Sequence, residues 1–150
     1  MFVAHRYQRL IVLNAAEEVK KLTAYKPLAH DVWTIGYGHT GPDVHENLVI
    51  NEERAEQLLR MDLEFFEAGI RRAVEVPLKQ HEFDALVSFV FNIGLAAFSR
   101  STLLKHLNAG DYWSAAEEFR RWKFSGGQVV LGLVRRRAGE KLLFRDAVYE

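Results

Sequence analysis

A chain of 150 residues, about half of them apolar, is long enough for one well-filled core and too short for two ordinary domains. Its formal net charge is zero, so nothing global draws it to nucleic acid or to an anionic membrane, and the lack of cysteine excludes disulfides and thiolate metal sites. The neutrality is uneven: residues 31–70 hold nine acids against Arg54 and Arg60, whereas residues 117–146 hold eight bases against four acids, so two oppositely charged regions are expected to flank a cleft.

The N-terminal stretch MFVAHRYQRLIVLNAAEEV carries charge at His5, Arg6 and Arg9 and lacks the long apolar run and small-residue cleavage pattern of an export signal. No window approaches the roughly 20 apolar residues of a membrane span, so the chain as given reads as soluble and cytoplasmic. Between residues 3 and 23, Tyr7, Leu10, Ile11, Ala15, Val19 and Leu22 recur at three- and four-residue spacing, which predicts an amphipathic helix. Glu18 lies on or beside that apolar stripe and Glu17 points elsewhere, so Glu18 is the better candidate for an acid whose pKa is raised by lost water.

Past Pro27, the run Val32 to Gly38 mixes β-branched and aromatic residues with small ones and predicts a strand in a short hairpin sheet. Trp33, Ile35 and Tyr37 would share one face, and Thr34, Gly36 and Gly38 the other. That second face either admits a ligand close to the backbone or marks a tight bend. Asn51 reads as the cap of a helix whose buried stripe is Leu58, Leu59, Leu63, Phe66 and Ile70, and Pro77 ends that element. Residues 79–93 are apolar nearly all round after Asp84 and predict the central buried helix. Ser101 and Asp111 read as further caps with Gly110 closing the helix between them, Gly126-Gly127 breaks the next helix, and RRRAGEKLLF opens or occupies the last. The fold class is therefore α+β: a mostly helical body with a small antiparallel β-hairpin sheet near the N-terminus and a cleft between them, in a single domain over residues 1–150.

Several of these residues resemble a known family. The run Glu17-Glu18-Val19, Leu22, Ala24-Tyr25 and Trp33 to Gly41 is similar to the active-site segment of phage-type lysozymes, the endolysins of glycoside hydrolase family 24. The similarity continues through Val76-Pro77-Leu78, Gln80, Phe83 to Leu86, Phe91 to Gly94, Ser101 to Leu104, Leu107-Asn108, Leu133 to Arg137, Glu140 and Leu143-Phe144. It implies a lysozyme-like fold and hydrolysis of the bond between N-acetylmuramic acid and N-acetylglucosamine in peptidoglycan. That chemistry needs one carboxyl to protonate the leaving oxygen and a second carboxylate to activate water or steady the cationic transition state.

In the family pattern a glutamate is followed nine residues later by an aspartate and six further on by a threonine. Glu18 and Thr34 match the first and third of these, but the aspartate position is Pro27, and one extra residue separates it from Thr34. Val19 stands where a glycine usually follows the glutamate, and Ala29-His30-Asp31 replaces a loop glycine. Asp31 is the nearest substitute carboxylate, at the strand entrance. A missing general base costs roughly 10² to 10⁴ in rate, so weak hydrolysis at best is expected.

The resemblance also nominates Tyr25, Tyr37, His39 and Arg136 as glycan contacts. An arginine of the Arg135-Arg136-Arg137 run would lie near the catalytic glutamate or bind acidic glycan and peptide groups; surface salt bridging is the competing role. His39 in GYGHT suits a loop-fixing hydrogen bonder, and His30, His39 and His45 are too loosely spaced for a metal, so no cofactor is expected. Trp33, Tyr37, Trp113 and Trp122 are sugar-stacking or core aromatics. Two functions follow: a working muramidase with Glu18 as general acid, or a degenerate muramidase domain reused for binding, self-association and protein localisation. The second resembles muramidase-like domains of polar localisation factors, which implies membership of a longer membrane-anchored protein and recruitment of a sensor histidine kinase.

Overall fold

Residues 21–145 are described by a computed structural model, in which they form two units, one up to Glu64 and the other from Phe65 onward. The expected N-terminal helix lies outside the described residues up to position 20. At its far end the chain departs from that expectation, because Lys21–Tyr25 is a strand, β1. Leu22 has helical spacing in the sequence, but its carbonyl accepts from the Ile50 amide at 2.9 Å and the Ala24 amide donates to the Leu48 carbonyl at 2.9 Å. Ladder bonds formed with residues remote in sequence override the local periodicity there.

The first unit is organised around this strand. β1 pairs antiparallel with β2 (Thr34–Gly36), with an irregularity between the Lys21↔Gly36 and Tyr25↔Thr34 pairs, and β2 pairs with β3 (His39–Thr40). The strand expected over Val32 to Gly38 is thus shorter, because Gly36 and Gly38 adopt φ of 66° and 91° and turn the chain at Tyr37. All three β2 residues are buried, so the small-residue face does not stand open to a ligand. A Cβ at Gly36 would lie 3.4 Å from the Ala55 side chain, which identifies that glycine as a close-packing position. Ala24, Ile35, Val44 and Leu58 form this unit's core, with Trp33, Leu48 and Ile50 packed against it.

Helix α1 (Glu52–Ala73) begins at Asn51, whose Oδ1 accepts from the Arg54 amide at 2.8 Å, and places Glu52 and Glu53 in its positive first turn. Leu58, Leu63 and Ile70 are buried along it as expected, while Leu59 and Phe66 are half-buried.

The second unit is helical. α2 (Gln80–Ile93) buries an unbroken run from Asp84 to Val90, which explains why its sequence is apolar nearly all round. Short helices α3 (Leu95–Ser99), α4 (Thr102–Asn108) and α5 (Tyr112–Glu118) follow, and Ser101 and Asp111 cap α4 and α5 as expected. Phe89 is the hub of the aromatic core, with ring centroids 5.0 Å from Phe119, 5.7 Å from Trp122 and 6.5 Å from Phe98. Gly69 lies close under Leu95, whose side chain would have to move to admit a Cβ there.

After a 3₁₀ turn at Phe119–Arg121, Gly126-Gly127 does not interrupt a helix as anticipated. It forms the turn of a second hairpin, β4 (Phe124–Ser125) with β5 (Gln128–Val129). Both glycines have positive φ, 59° and 79°, the conformation a two-residue hairpin turn demands. The final helix, α6 (Leu131–Arg145), carries the arginine triplet. The α+β expectation holds: six helices among the described residues, with two small antiparallel sheets.

Candidate functional site

The segment expected to carry chemistry is divided between described and undescribed residues. Glu18, the candidate acid, and Glu17 lie outside the described residues. Lys26 to His30, including Pro27, form an exposed turn, closed by the Asp31 amide donating to the Leu28 carbonyl at 2.9 Å. The loop's only carboxylate, Asp31, is one-third exposed and sits 3.6 Å from His30 Nε2. Lys26 Nζ lies over the Trp33 ring at 5.1 Å, holding the start of the turn against the sheet.

Thr34 is buried, and its Oγ1 donates to the Val32 carbonyl at 3.0 Å, so its proton is already committed within the strand entrance. Tyr25, at the end of β1, is half-buried, with Lys21 Nζ 5.3 Å from its ring centroid; Tyr37 is half-buried in the β2–β3 turn.

His39 is the most constrained polar residue of this unit. Its Nδ1 faces Asp62 Oδ2 at 2.8 Å and its Nε2 faces Asp43 Oδ2 at 3.0 Å, so both ring nitrogens point at acceptors and both bonds require the imidazolium. The Asp62 hydrogen bond raises the His39 pKa above the ordinary 6.5; partial burial opposes this, and Asp43 adds to it. The cluster ties β3 and the loop after it to α1, the loop-fixing role the GYGHT motif suggests.

In the second unit, Arg136 and Arg137 are buried on α6 with Glu140, while Arg135 is exposed. Arg136 Nε lies 3.4 Å from Glu140 Oε2 and its NH2 donates to the Ser88 carbonyl at 3.2 Å. Arg137 NH2 donates to Glu140 Oε2 at 3.1 Å, and its Nε lies 2.8 Å from Oε1, a charge contact rather than an aligned hydrogen bond. The Ser88 hydroxyl donates to Oε2 at 2.6 Å, and the Arg137 guanidinium stacks 5.0 Å from the Phe89 centroid. Burial raises the Glu140 pKa, opposed by Arg137 and then Arg136. Two of the three arginines therefore pair internally with Glu140 rather than at the surface, and the glutamate beside which the resemblance places one of them, Glu18, lies outside the described residues. The i, i+3 and i, i+4 spacing of Arg137 and Arg136 to Glu140 was the available signal.

Of the four tryptophan and tyrosine candidates for sugar stacking, Trp33, Tyr37 and Trp122 are half-buried and Trp113 is exposed beneath the Arg145 guanidinium, 3.9 Å from its ring centroid. No group of three or more potential metal ligands occurs among the described residues. No helix among them is long and apolar enough to cross a membrane.

Comparison with known proteins fits this arrangement to a family. Residues 15–140 match the family model described as phage lysozyme. The chain is 52% identical over 122 residues to an endolysin of Bacillus phage B103, covering 81% of this chain and 46% of that protein. It thus spans about half the length of that relative. It is 44% identical over 147 residues to an endolysin of Acyrthosiphon pisum secondary endosymbiont phage 1, covering 95% of this chain and 99% of that one. Among solved structures it resembles the muramidase domain of SpmX from Asticaccaulis excentricus, with a TM-score of 0.77, 39% identity and coverage of 92% and 95% of the two chains. With a family match across most of its length and these relatives, the chain belongs to the phage lysozyme family and has its lysozyme-like fold.

Proposed function

We propose that the chain is a single peptidoglycan-directed muramidase domain whose hydrolysis is weak or lost and whose surface serves binding, self-association and protein localisation. The observation that carries this reading is the loop from Lys26 to Asp31. Pro27 stands where the family pattern has its second carboxylate, and the turn around it is exposed and short of acids. Thr34 Oγ1 donates its proton to the Val32 carbonyl, so it offers no compensating acid or base. Glu18 remains able to protonate a leaving sugar oxygen, but nothing on the loop prepares water or steadies the cationic transition state. Tyr25 and Tyr37 are the glycan contacts proposed in the first unit, where His39 fixes the loop rather than touching glycan, whereas Arg136 of the second unit is buried against Glu140 and is not proposed as a glycan contact.

A second reading is an active N-acetylmuramidase with Glu18 as general acid, favoured by the 44% identity to an endolysin over nearly the whole of both chains. Purified protein assayed on insoluble sacculi separates the two. Retained binding in a pelleting assay with little turnover is expected, and Pro27→Asp should raise turnover by about 10²-fold as a carboxylate is restored. Vigorous turnover by the unaltered chain, abolished by Glu18→Ala, would overturn the degenerate reading.

A further inference from the structure

The stretch between Glu118 and Glu140 contains no acid, and it holds Arg120, Arg121, Lys123 and the arginine triplet. Arg136 and Arg137 turn inward to Glu140 and Arg121 pairs with Glu118 at 3.0 Å. Arg120 and Arg135 remain at the surface, and Lys123 lies half-buried beside Phe124.

The same stretch exposes an unusual amount of apolar side chain. Phe124 and Val129 are 55% and 56% exposed, and they sit directly opposite each other across the β4–β5 hairpin, which places both side chains on one face. The hairpin runs straight into α6, where Leu131, Val134, Ala138 and Leu142 are exposed at successive steps of three, four and four residues. That spacing keeps them on one side of the helix, while Leu143 and Phe144 face the core. Helix α6 thus buries Leu143 and Phe144 beside the Glu140 cluster on its inner face and carries an apolar stripe along its outer one.

We propose that the Phe124–Val129 hairpin and the outer stripe of α6 dock on an anionic lipid surface. Two features select this occupant. The exposed charges of the 119–139 stretch are basic, and Glu117, the acid facing α6, is held by Lys141 and Arg145, so the net charge complements anionic headgroups; the side chains are those that sink into the boundary between headgroups and acyl chains. A symmetric pairing of this face with a second copy would instead set Arg120, Lys123 and Arg135 against their own counterparts. The proposed contact is made on the bilayer surface rather than across it, by a hairpin face and one side of a helix. Contact is reversible, because a short apolar stripe plus a few bases binds far less strongly than a spanning helix.

Cosedimentation of the full chain with phosphatidylglycerol-containing vesicles tests this against pure phosphatidylcholine vesicles. Binding to the anionic vesicles that weakens with added salt is expected. Phe124→Ser with Val129→Ser should lower the partition coefficient by more than about tenfold, with far-UV circular dichroism unchanged. Arg135→Gln, at an exposed position with no core contact to lose, should lower it about fivefold. No cosedimentation, equal binding to the neutral vesicles, or undiminished binding by the double variant would each overturn the proposal. So would a lipid-free dimer in sedimentation velocity that the double variant abolishes, because the face would then belong to a second copy.

Discussion

The two units each hold a cluster of opposite charges, built on opposite physical terms. Around His39 the partners are an exposed loop aspartate, Asp43, and a more covered helix aspartate, Asp62, so water competes with part of the pairing and both bonds depend on the histidine's protonation. Around Glu140 the partners are arginines on the same helix and Ser88 on α2, nearly all without solvent contact. The first cluster fastens a short hairpin and the loop after it to a helix. The second occupies volume inside a core, where each charge is tolerable only because the others are present. Residues that identify a family by sequence therefore include some held for internal structure: Arg136 and Arg137 belong to the lysozyme pattern, yet much of their hydrogen bonding goes to Glu140 and Ser88.

The sharpest way to break this comparison is Glu140→Gln. The substitution keeps the shape and an acceptor for Ser88 but removes an anion that lies against two buried guanidinium groups, and breaking such a network costs about 3–5 kcal/mol. Urea denaturation should show that loss almost unchanged by added salt, since the pair is screened from solvent. A loss below about 1 kcal/mol would mean that the arginines find other partners, and that Glu140 is not the organising charge.

His39→Asn should be gentler and should depend on conditions. Hydrogen bonds to charged groups contribute about 1.5–3 kcal/mol each, and the exposure of Asp43 places this cluster at the low end. The sign follows from the raised pKa. Protonated His39 is favoured in the folded state, so its stabilisation is fully present below the ordinary value of 6.5 and is lost as pH rises through the higher folded value. The gap in melting temperature between the native chain and His39→Asn should therefore be wide near about pH 5.5 and narrow near about pH 9, and salt should shrink it at the lower pH. A gap that widened with pH would show that the neutral ring is the form that matters.

How far the sequence foretold all this follows the range of the forces involved. Asn51, Ser101 and Asp111 were legible as caps because the bond each makes is to an amide three residues on. The buried α2 was legible because burial on all sides leaves a continuous apolar run. Strand β1 was not, because Leu22 and Ala24 are held by Ile50 and Leu48, more than twenty residues away, and nothing in KLTAY announces those partners. The Gly126-Gly127 hairpin was missed for lack of flanking length, each strand having two residues. At the candidate site the missing carboxylate at Pro27 was visible by counting. That the Thr34 proton is committed to Val32 required the strand's actual register.

The smallest expected effects compare the caps themselves, one in each unit. Asn51 accepts from the Arg54 amide at an exposed helix start, and water can replace it, so Asn51→Ala should cost about 0.5–1 kcal/mol. Ser101 is buried, its hydroxyl accepting from the Leu104 amide at 3.1 Å and donating to the Phe98 carbonyl at 2.7 Å. Alanine there removes both bonds and leaves an amide and a carbonyl in a place water does not readily reach, so the cost should approach about 2 kcal/mol. Because the two substitutions are far apart in sequence and share no partner, their costs should add within about 0.5 kcal/mol in the double variant. The ratio between them then reflects burial together with the second bond that Ser101 makes: a cap is worth more where solvent cannot substitute for it, and if Asn51→Ala proved the costlier of the two, exposure would not be what distinguishes the two units' polar contacts.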